Sequence, residues 1–226
     1  MTPIGLPLPD VVPVLRGTGV VLRPPRSADG GVIARLGVDP AIERFFGVEH
    51  ATRRGLTSAE ARAAISHLGG RTGMQGWVIE RDGRLVGLAR LFAVEPDERR
   101  ARYAVTLLSH DWVNQGMGTE ATRLALAYAF GVLGLHRVSA RVLSFNERAL
   151  ACFRACGFVE EGRERESVPF EGLRYDLVLM GVLDREFAAL AAARPECARL
   201  SALTRVVRDE LAERPAGAPA VPARPF

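Results

Sequence analysis

The chain has 226 residues, of which 48% are hydrophobic and 25% charged, so it is long enough to bury one sizeable core and has the balance of a water-soluble globular domain. No apolar run approaches the roughly 18 residues a membrane helix needs, and the proline-rich start lacks the cationic segment and apolar core of a secretion signal, so a cytoplasmic protein is expected. The net charge of +4 is modest, and arginine pairs such as Arg53-Arg54 and Arg99-Arg100 are interleaved with acids rather than aromatic residues, which argues against nucleic acid as a partner.

All 30 residues counted as Lys or Arg are arginines, so any self-acetylation on nitrogen would be confined to the N-terminal amine. Cys152 and Cys156 are four apart and Cys197 stands alone. With no companion His or Cys pair, the expectation is buried thiols in a reducing compartment and no metal.

In chain order, residues 1–18 carry Pro3, Pro7, Pro9 and Pro13 and read as an extended arm. Gly19 to Arg23 reads as the first strand, and Ser27 as the cap of a short helix to Leu36. Thr57-Ser58-Ala59-Glu60 fits a capping box before an alanine-rich helix to Leu68. Gly76 to Arg81 and Arg84 to Phe92 flank Asp82-Gly83, the strongest hairpin signal in the sequence. Ala101 to Leu108 is again extended. After it, Ala121, Leu124, Ala125, Tyr128 and Val132 recur at the spacing of one buried helical face.

Between that strand and helix lies Gln115-Gly116-Met117-Gly118-Thr119-Glu120-Ala121, a loop with little side-chain bulk. Unpaired N–H groups and the positive end of the helix dipole favour an anion there, and the two glycines allow its close approach. The loop lacks the Gly-Lys-Ser/Thr of a nucleotide P-loop and the third glycine of the dinucleotide fingerprint. Arg137 to Leu143 then alternates, with Val138, Ala140 and Val142 inward. Asn146 follows, then a helix from Glu147 to Cys156 closed by Gly157. Phe158 to Arg165 and Leu173 to Leu183 form a second strand pair around Pro169 to Gly172. Glu186 to Ala193 and Glu196 to Glu213 read as helices broken at Pro195. Leu200, Leu203, Val207 and Leu211 make an apolar stripe that covers either its own domain or a second subunit in a homodimer. Residues 214–226 carry four prolines and are expected to be disordered.

From Gly19 to Leu183 the sequence resembles the GNAT acetyltransferases, and within them the ribosomal-protein alanine (RimJ/RimL-like) branch. The resemblance is carried by Val21-Leu22-Arg23-Pro24-Pro25, by Asn114 to Ala121, by Leu135-His136-Arg137 leading to Asn146-Glu147-Arg148-Ala149, and by Cys156 to Gly162 with Tyr175 to Met180. It implies an α/β fold with a mixed, mostly antiparallel central sheet flanked by helices, and a V-shaped split between the strands ending near Leu108 and Leu143. Four segments follow: an arm over 1–18, the acetyltransferase domain over 19–183, a helical extension over 184–213 and a tail over 214–226.

The resemblance also implies acetyl-CoA as donor. Its pantetheine arm would run along the backbone of Thr106, Leu107 and Leu108, and its pyrophosphate would lie on the N–H groups of Val113, Asn114, Gln115, Gly116, Met117, Gly118 and Thr119. Asn146 would hydrogen-bond the arm and, with water as the other option, stabilise the leaving thiolate; Phe153 would border the arm, and the backbone N–H near Leu108 would face the oxyanion. Three departures stand out: Val113 stands where an Arg or Gln often precedes the glycines, so one side-chain contact to phosphate is missing; the tyrosine many members use to protonate the leaving thiolate falls at Phe153; and the serine some use falls at Ala149. An amine at neutral pH must lose a proton before it attacks; the candidate bases are Glu43 and Asp176, with His50, His110 and Asp111 as further options and ordered water as another. His136 reads as a packing or capping residue. The acceptor is a small amine or a protein N-terminus, and a CoA-binding module without turnover is the alternative from another class.

Overall fold

The computed structural model describes residues 9, 12–37, 39–49, 55–66, 68 and 73–193. Its strands are β1 (Leu15–Arg16), β2 (Val21–Arg23), β3 (Gln75–Arg81), β4 (Arg84–Glu95), β5 (Arg100–Leu107), β6 (Arg137–Leu143), β7 (Val159–Phe170) and β8 (Leu173–Leu183). Its helices are α1 (Ser27–Leu36), α2 (Pro40–Glu43), α3 (Ser58–Ser66), α4 (Met117–Gly131), α5 (Glu147–Ala155) and α6 (Asp184–Ala193). The strands form one sheet in the order β1-β2-β3-β4-β5-β6-β8-β7. All neighbours are antiparallel except β5 and β6.

That exception shapes the molecule. β5 and β6 pair only from Arg100, Ala101 and Arg102 to Arg137, Val138 and Ser139, while β5 runs on to Leu107 and β6 to Leu143. Beyond the third pair the strands part, and the sheet opens as a V at its middle.

Period-two alternation sorts the sheet residues between two cores. Trp77, Ile79, Ala89, Leu91 and Tyr103 face α4, whose Ala121, Leu124, Ala125 and Tyr128 are all buried; Trp77 meets Tyr128 edge-on at 5.6 Å. Val78 and Leu85 point the other way, into a smaller core with Ile33 of α1 and Ala61 of α3.

The 1–18 arm is more than an extended lead-in. Leu15 and Arg16 pair with Leu22 and Val21, the buried indole of Trp77 donates to the Pro13 carbonyl at 2.9 Å, and Glu120 on α4 accepts from the Gly19 N–H at 2.9 Å. Arg26, not Ser27, stands at the N-cap of α1, with Asp29 accepting from its N–H at 2.6 Å. The capping box forms as expected: Glu60 accepts from the Thr57 N–H at 2.8 Å, and Thr57 Oγ1 accepts from the Glu60 N–H at 3.2 Å. Asp82 and Gly83 both take positive φ, as a two-residue hairpin turn requires. β7 extends past Arg165 to Phe170 and includes Pro169, which an edge strand tolerates because one row of N–H groups has no partner to lose. The expected helix and apolar stripe over 196–213, the 214–226 tail, His50 and Cys197 lie outside the described residues.

Candidate active site

Two cavities open on the V and meet on β5. One, of about 530 Å³, is lined by Val105, Thr106 and Leu107, by Val113, Asn114, Gly116, Met117, Gly118 and Thr119 of the loop entering α4, and by Asn146, Glu147, Arg148, Ala149, Ala151 and Cys152 on the α5 side. The other, of about 370 Å³, lies on the α1/α3 face and includes Ile42, Glu43, Phe46, Leu88, Arg90, Ala104 and Leu108. Ile42, Phe46, Val105 and Thr106 border both.

The first cavity fits a phosphate-bearing donor. Gly116 is the N-cap residue of α4 at φ +78°, and no side chain caps the helix, so the first-turn N–H groups remain available to an anion. A Cβ at Gly116 would meet open space, and one at Gly118 would find only Cys152 Sγ, at 3.8 Å. Gly116 therefore provides the left-handed turn, and Gly118 leaves the floor of the cavity clear.

Most of the expected donor residues gather here, and three do not. Gln115 turns its side chain away, accepting from Arg81 at 3.1 Å and donating to the Asp111 carbonyl at 2.7 Å. Phe153 is buried, edge-on to Tyr103 and Phe158, so it backs the cavity without lining it. Leu108 borders the second cavity, and its N–H donates to the Val86 carbonyl at 3.0 Å, which removes it as an oxyanion donor. Antiparallel ladders turn alternate N–H groups to opposite sides, so the group that faces the V is the N–H of Leu107.

Asn146 is the N-cap of α5: its Oδ1 accepts from the Ala149 N–H at 3.1 Å and its Nδ2 donates to the Phe45 carbonyl at 3.2 Å. It latches α5 to the turn that follows α2, whose Phe45 lines the same cavity. The two base candidates separate. Glu43 lines the second cavity and makes no side-chain hydrogen bond or ion pair among the described residues, whereas Asp176 accepts from the Glu166 N–H at 3.0 Å and lies 3.7 Å from Arg163. Asp176 is a fastener of the β7–β8 hairpin and lines neither cavity. Asp111 belongs to the turn after β5, taking a 3.4 Å contact from Ser109 Oγ, while His110 Nδ1 lies 3.5 Å from Arg148. His136 sits 3.2 Å from Asp184, consistent with a capping role. Neither serine nor tyrosine lines the donor cavity among the described residues.

Two lining residues escaped the sequence reading. Arg148 stacks over Phe45 at 5.0 Å and makes no carboxylate pair among the described residues, so it presents a cation at the donor cavity. Its position in the first turn of α5, two residues after the Asn146 cap, was the available signal. Cys152, expected as a buried thiol, is only part-buried and lines the donor cavity. Hydrogen bonding with Cys156 outweighs the cost of burial and, helped by the Thr119 and Thr122 hydroxyls, brings its thiol down to about 7. Iodoacetamide alkylation of Cys152, followed by peptide mass spectrometry, should therefore rise with a midpoint near pH 7 and slow at least about tenfold when the cavity is filled. A midpoint above 8.5, with no protection, contradicts this placement.

The comparisons with known proteins agree with this geometry. The profile of the acetyltransferase (GNAT) domain matches residues 20–159, and the chain belongs to the GNAT acetyltransferase family. It is 29% identical over 113 residues to spermidine N(1)-acetyltransferase of Escherichia coli K12, a stretch covering 50% of this chain and 60% of that protein. It is 32% identical over 106 residues to the ribosomal N-acetyltransferase candidate YdaF of Bacillus subtilis, covering 47% and 57% respectively. The chain thus spans about six tenths of the length of these sequence relatives. The structure of spermidine N-acetyltransferase from Vibrio cholerae with CoA and spermine superposes with a TM-score of 0.65 at 22% identity, over 76% of this chain and 99% of that one, and so shares its fold.

Proposed function

We propose that the chain transfers an acetyl group from acetyl-CoA to a primary amine by direct attack in a ternary complex, with a small-molecule amine as acceptor. The carrying observation is that a cavity with an uncapped helix N-terminus and an apolar cavity with a free carboxylate meet at Val105 and Thr106, on the stretch of β5 that has already parted from β6. A donor whose phosphates rest on the α4 loop and Arg148 has its acyl end directed to that junction, and an amine in the second cavity reaches it from the opposite side of the strand.

Three tasks fall to this chain's own residues. Holding both reactants converts a bimolecular encounter into an oriented one. Glu43 is placed to take a proton from the incoming ammonium, directly or through one water. The Leu107 N–H is aimed where the carbonyl oxygen gains charge. A thiolate is stable enough near neutral pH to leave without a side-chain acid, which accommodates Phe153 and Ala149.

Free CoA thiol measured from acetyl-CoA, with and without a panel of small amines and N-terminal peptides, tests the proposal. Release that depends on a small amine is the expected result. Tight acetyl-CoA binding with no acceptor-dependent release would make the chain a CoA-binding module, and release only with peptides would move the acceptor to protein N-termini.

A further inference from the structure

We infer that the acceptor is an amino acid: a primary amine carrying a carboxylate, recognised by Arg90, and an apolar side chain. This rests on the reading of the second cavity as the acceptor site. Apolar side chains form most of its wall, among them Ile33, Ile42, Phe46, Leu56, Leu88 and Leu108. Such a wall suits an apolar side chain better than the several hydrated ammonium groups of a polyamine.

The charges inside the cavity narrow the choice. Asp39 is buried, and its two carboxylate oxygens accept from the Ala41 N–H at 3.1 Å and the His110 N–H at 2.7 Å. Glu43 is thus the carboxylate left for the acceptor ammonium. Arg90 lines the same cavity, half-buried, with its guanidinium 5.0 Å over the ring of Phe92 and no carboxylate within salt-bridge reach among the described residues. Elsewhere Arg23, Arg44, Arg100, Arg137 and Arg163 each hold a carboxylate. Stacking on Phe92 fixes the fork without using its donors, the arrangement that suits a bidentate carboxylate.

Register sets the order of the groups along the strand, while the long Arg90 side chain sets how near its fork comes to a carboxylate on the carbon that bears the amine. Leu88 pairs with Thr106 at the junction with the donor cavity, and Arg90 pairs with Ala104, two residues or about 7 Å farther along the strand. The acceptor therefore enters with its amine toward Thr106 and Glu43 and its anionic end toward Arg90. A polyamine meets the opposite environment, since one free carboxylate faces its several ammonium groups and Arg90 repels whichever lies deeper.

The test compares initial rates of CoA release with L-leucine, L-methionine and L-phenylalanine, with their carboxamides, and with spermidine, using the full chain and the Arg90→Gln and Arg90→Lys variants. At least one free acid should exceed its amide by about 10- to 100-fold in kcat/KM, the usual worth of a hydrogen bond to a charged group. Spermidine should be poorer than that acid. In R90Q the acid-to-amide ratio should fall toward one, while R90K retains part of it; a simple loss of folding lowers both rates and leaves the ratio alone. Equal rates for acid and amide, spermidine as the best acceptor, or an R90Q ratio unchanged from the parent each overturn the inference. If acetyl-CoA binds calorimetrically but neither acids nor amides are acetylated, the amino-acid acceptor fails alone; if acetyl-CoA does not bind, the reading of the site falls with it.

Discussion

Replacing Arg23 with methionine lowers the unfolding free energy by about 3–5 kcal/mol at neutral pH, the cost of removing one partner from a buried ion pair. Arg23 ends β2 with its Nη1 and Nη2 on the two oxygens of Asp29 at 2.8 and 2.7 Å, and its Nε on Glu80 of β3 at 2.6 Å. The Arg23 and Asp29 side chains are only 8% and 5% exposed. One guanidinium thus fastens the first turn of α1 to two strands, which gives the Arg-Pro-Pro segment a structural reason. Burial acts to raise the Asp29 carboxyl, but Arg23 and the Arg26 N–H outweigh it and hold it below the usual carboxylate range.

The pH dependence follows from that direction. In the parent chain the Asp29 contribution is fully present above the unfolded value of about 3.9 and is lost as pH falls through the lower folded value. In R23M the carboxylate is buried without its partner and its folded value rises. The variant then loses stability as pH climbs through 4, and the gap between the two proteins narrows in acid. Urea denaturation at pH 7 and at pH 4 measures both. A gap under 1 kcal/mol at pH 7, or one that widens in acid, contradicts the account.

Gly118→Phe should abolish useful acetyl-CoA binding while leaving the fold intact. Gly118 is the second residue of α4, and its hypothetical Cβ stands at ordinary contact distance from Cys152. A helix also prefers almost any side chain to glycine. The aromatic ring then occupies the space against which the phosphates rest and covers the first-turn N–H groups. Two charge-assisted hydrogen bonds at about 1.5–3 kcal/mol each correspond to an affinity loss of at least about 100-fold. Isothermal titration should show that loss beside a thermal midpoint within a few degrees of the parent. Unchanged affinity would place the donor elsewhere; a large fall in midpoint would mean that the glycine serves packing instead.

Wherever local periodicity and turn chemistry sufficed, the sequence was legible. The β3–β4 hairpin, the capping box before α3, the buried face of α4, the strand over 137–143 and the left-handed Gly157 all appear where the pattern placed them. Long-range pairing was not legible in that way. The entry of Leu15 and Arg16 into the sheet depends on partners in β2 and on Glu120 of α4, about a hundred residues away, and no local signal in a proline-rich arm encodes that.

The same limit explains the site. A cradle made of backbone and glycine shows in the sequence because Gly116 supplies the left-handed turn and Gly118 leaves the approach to the first-turn N–H groups clear, so the 116–118 loop is legible. Which carboxylate is free and which is fastened depends on partners brought by folding. Glu43 and Asp176 look alike in one dimension, yet Asp176 holds its own hairpin and Glu43 faces a cavity. Leu107 and Leu108 differ by one step of strand pleat, and that step decides which N–H is consumed by β4.

Direct transfer between two cavities that meet on one strand has one rival route, through Cys152, because a thiol lowered to about 7 inside the donor cavity is also a nucleophile. Initial rates with acetyl-CoA and the amine varied together, read beside the intact mass of the enzyme mixed with acetyl-CoA alone, decide between them. The account predicts intersecting reciprocal lines and no acetyl adduct on Cys152, an assignment simplified by a chain without lysine. Parallel lines with an acetylated Cys152 that the amine discharges would contradict it.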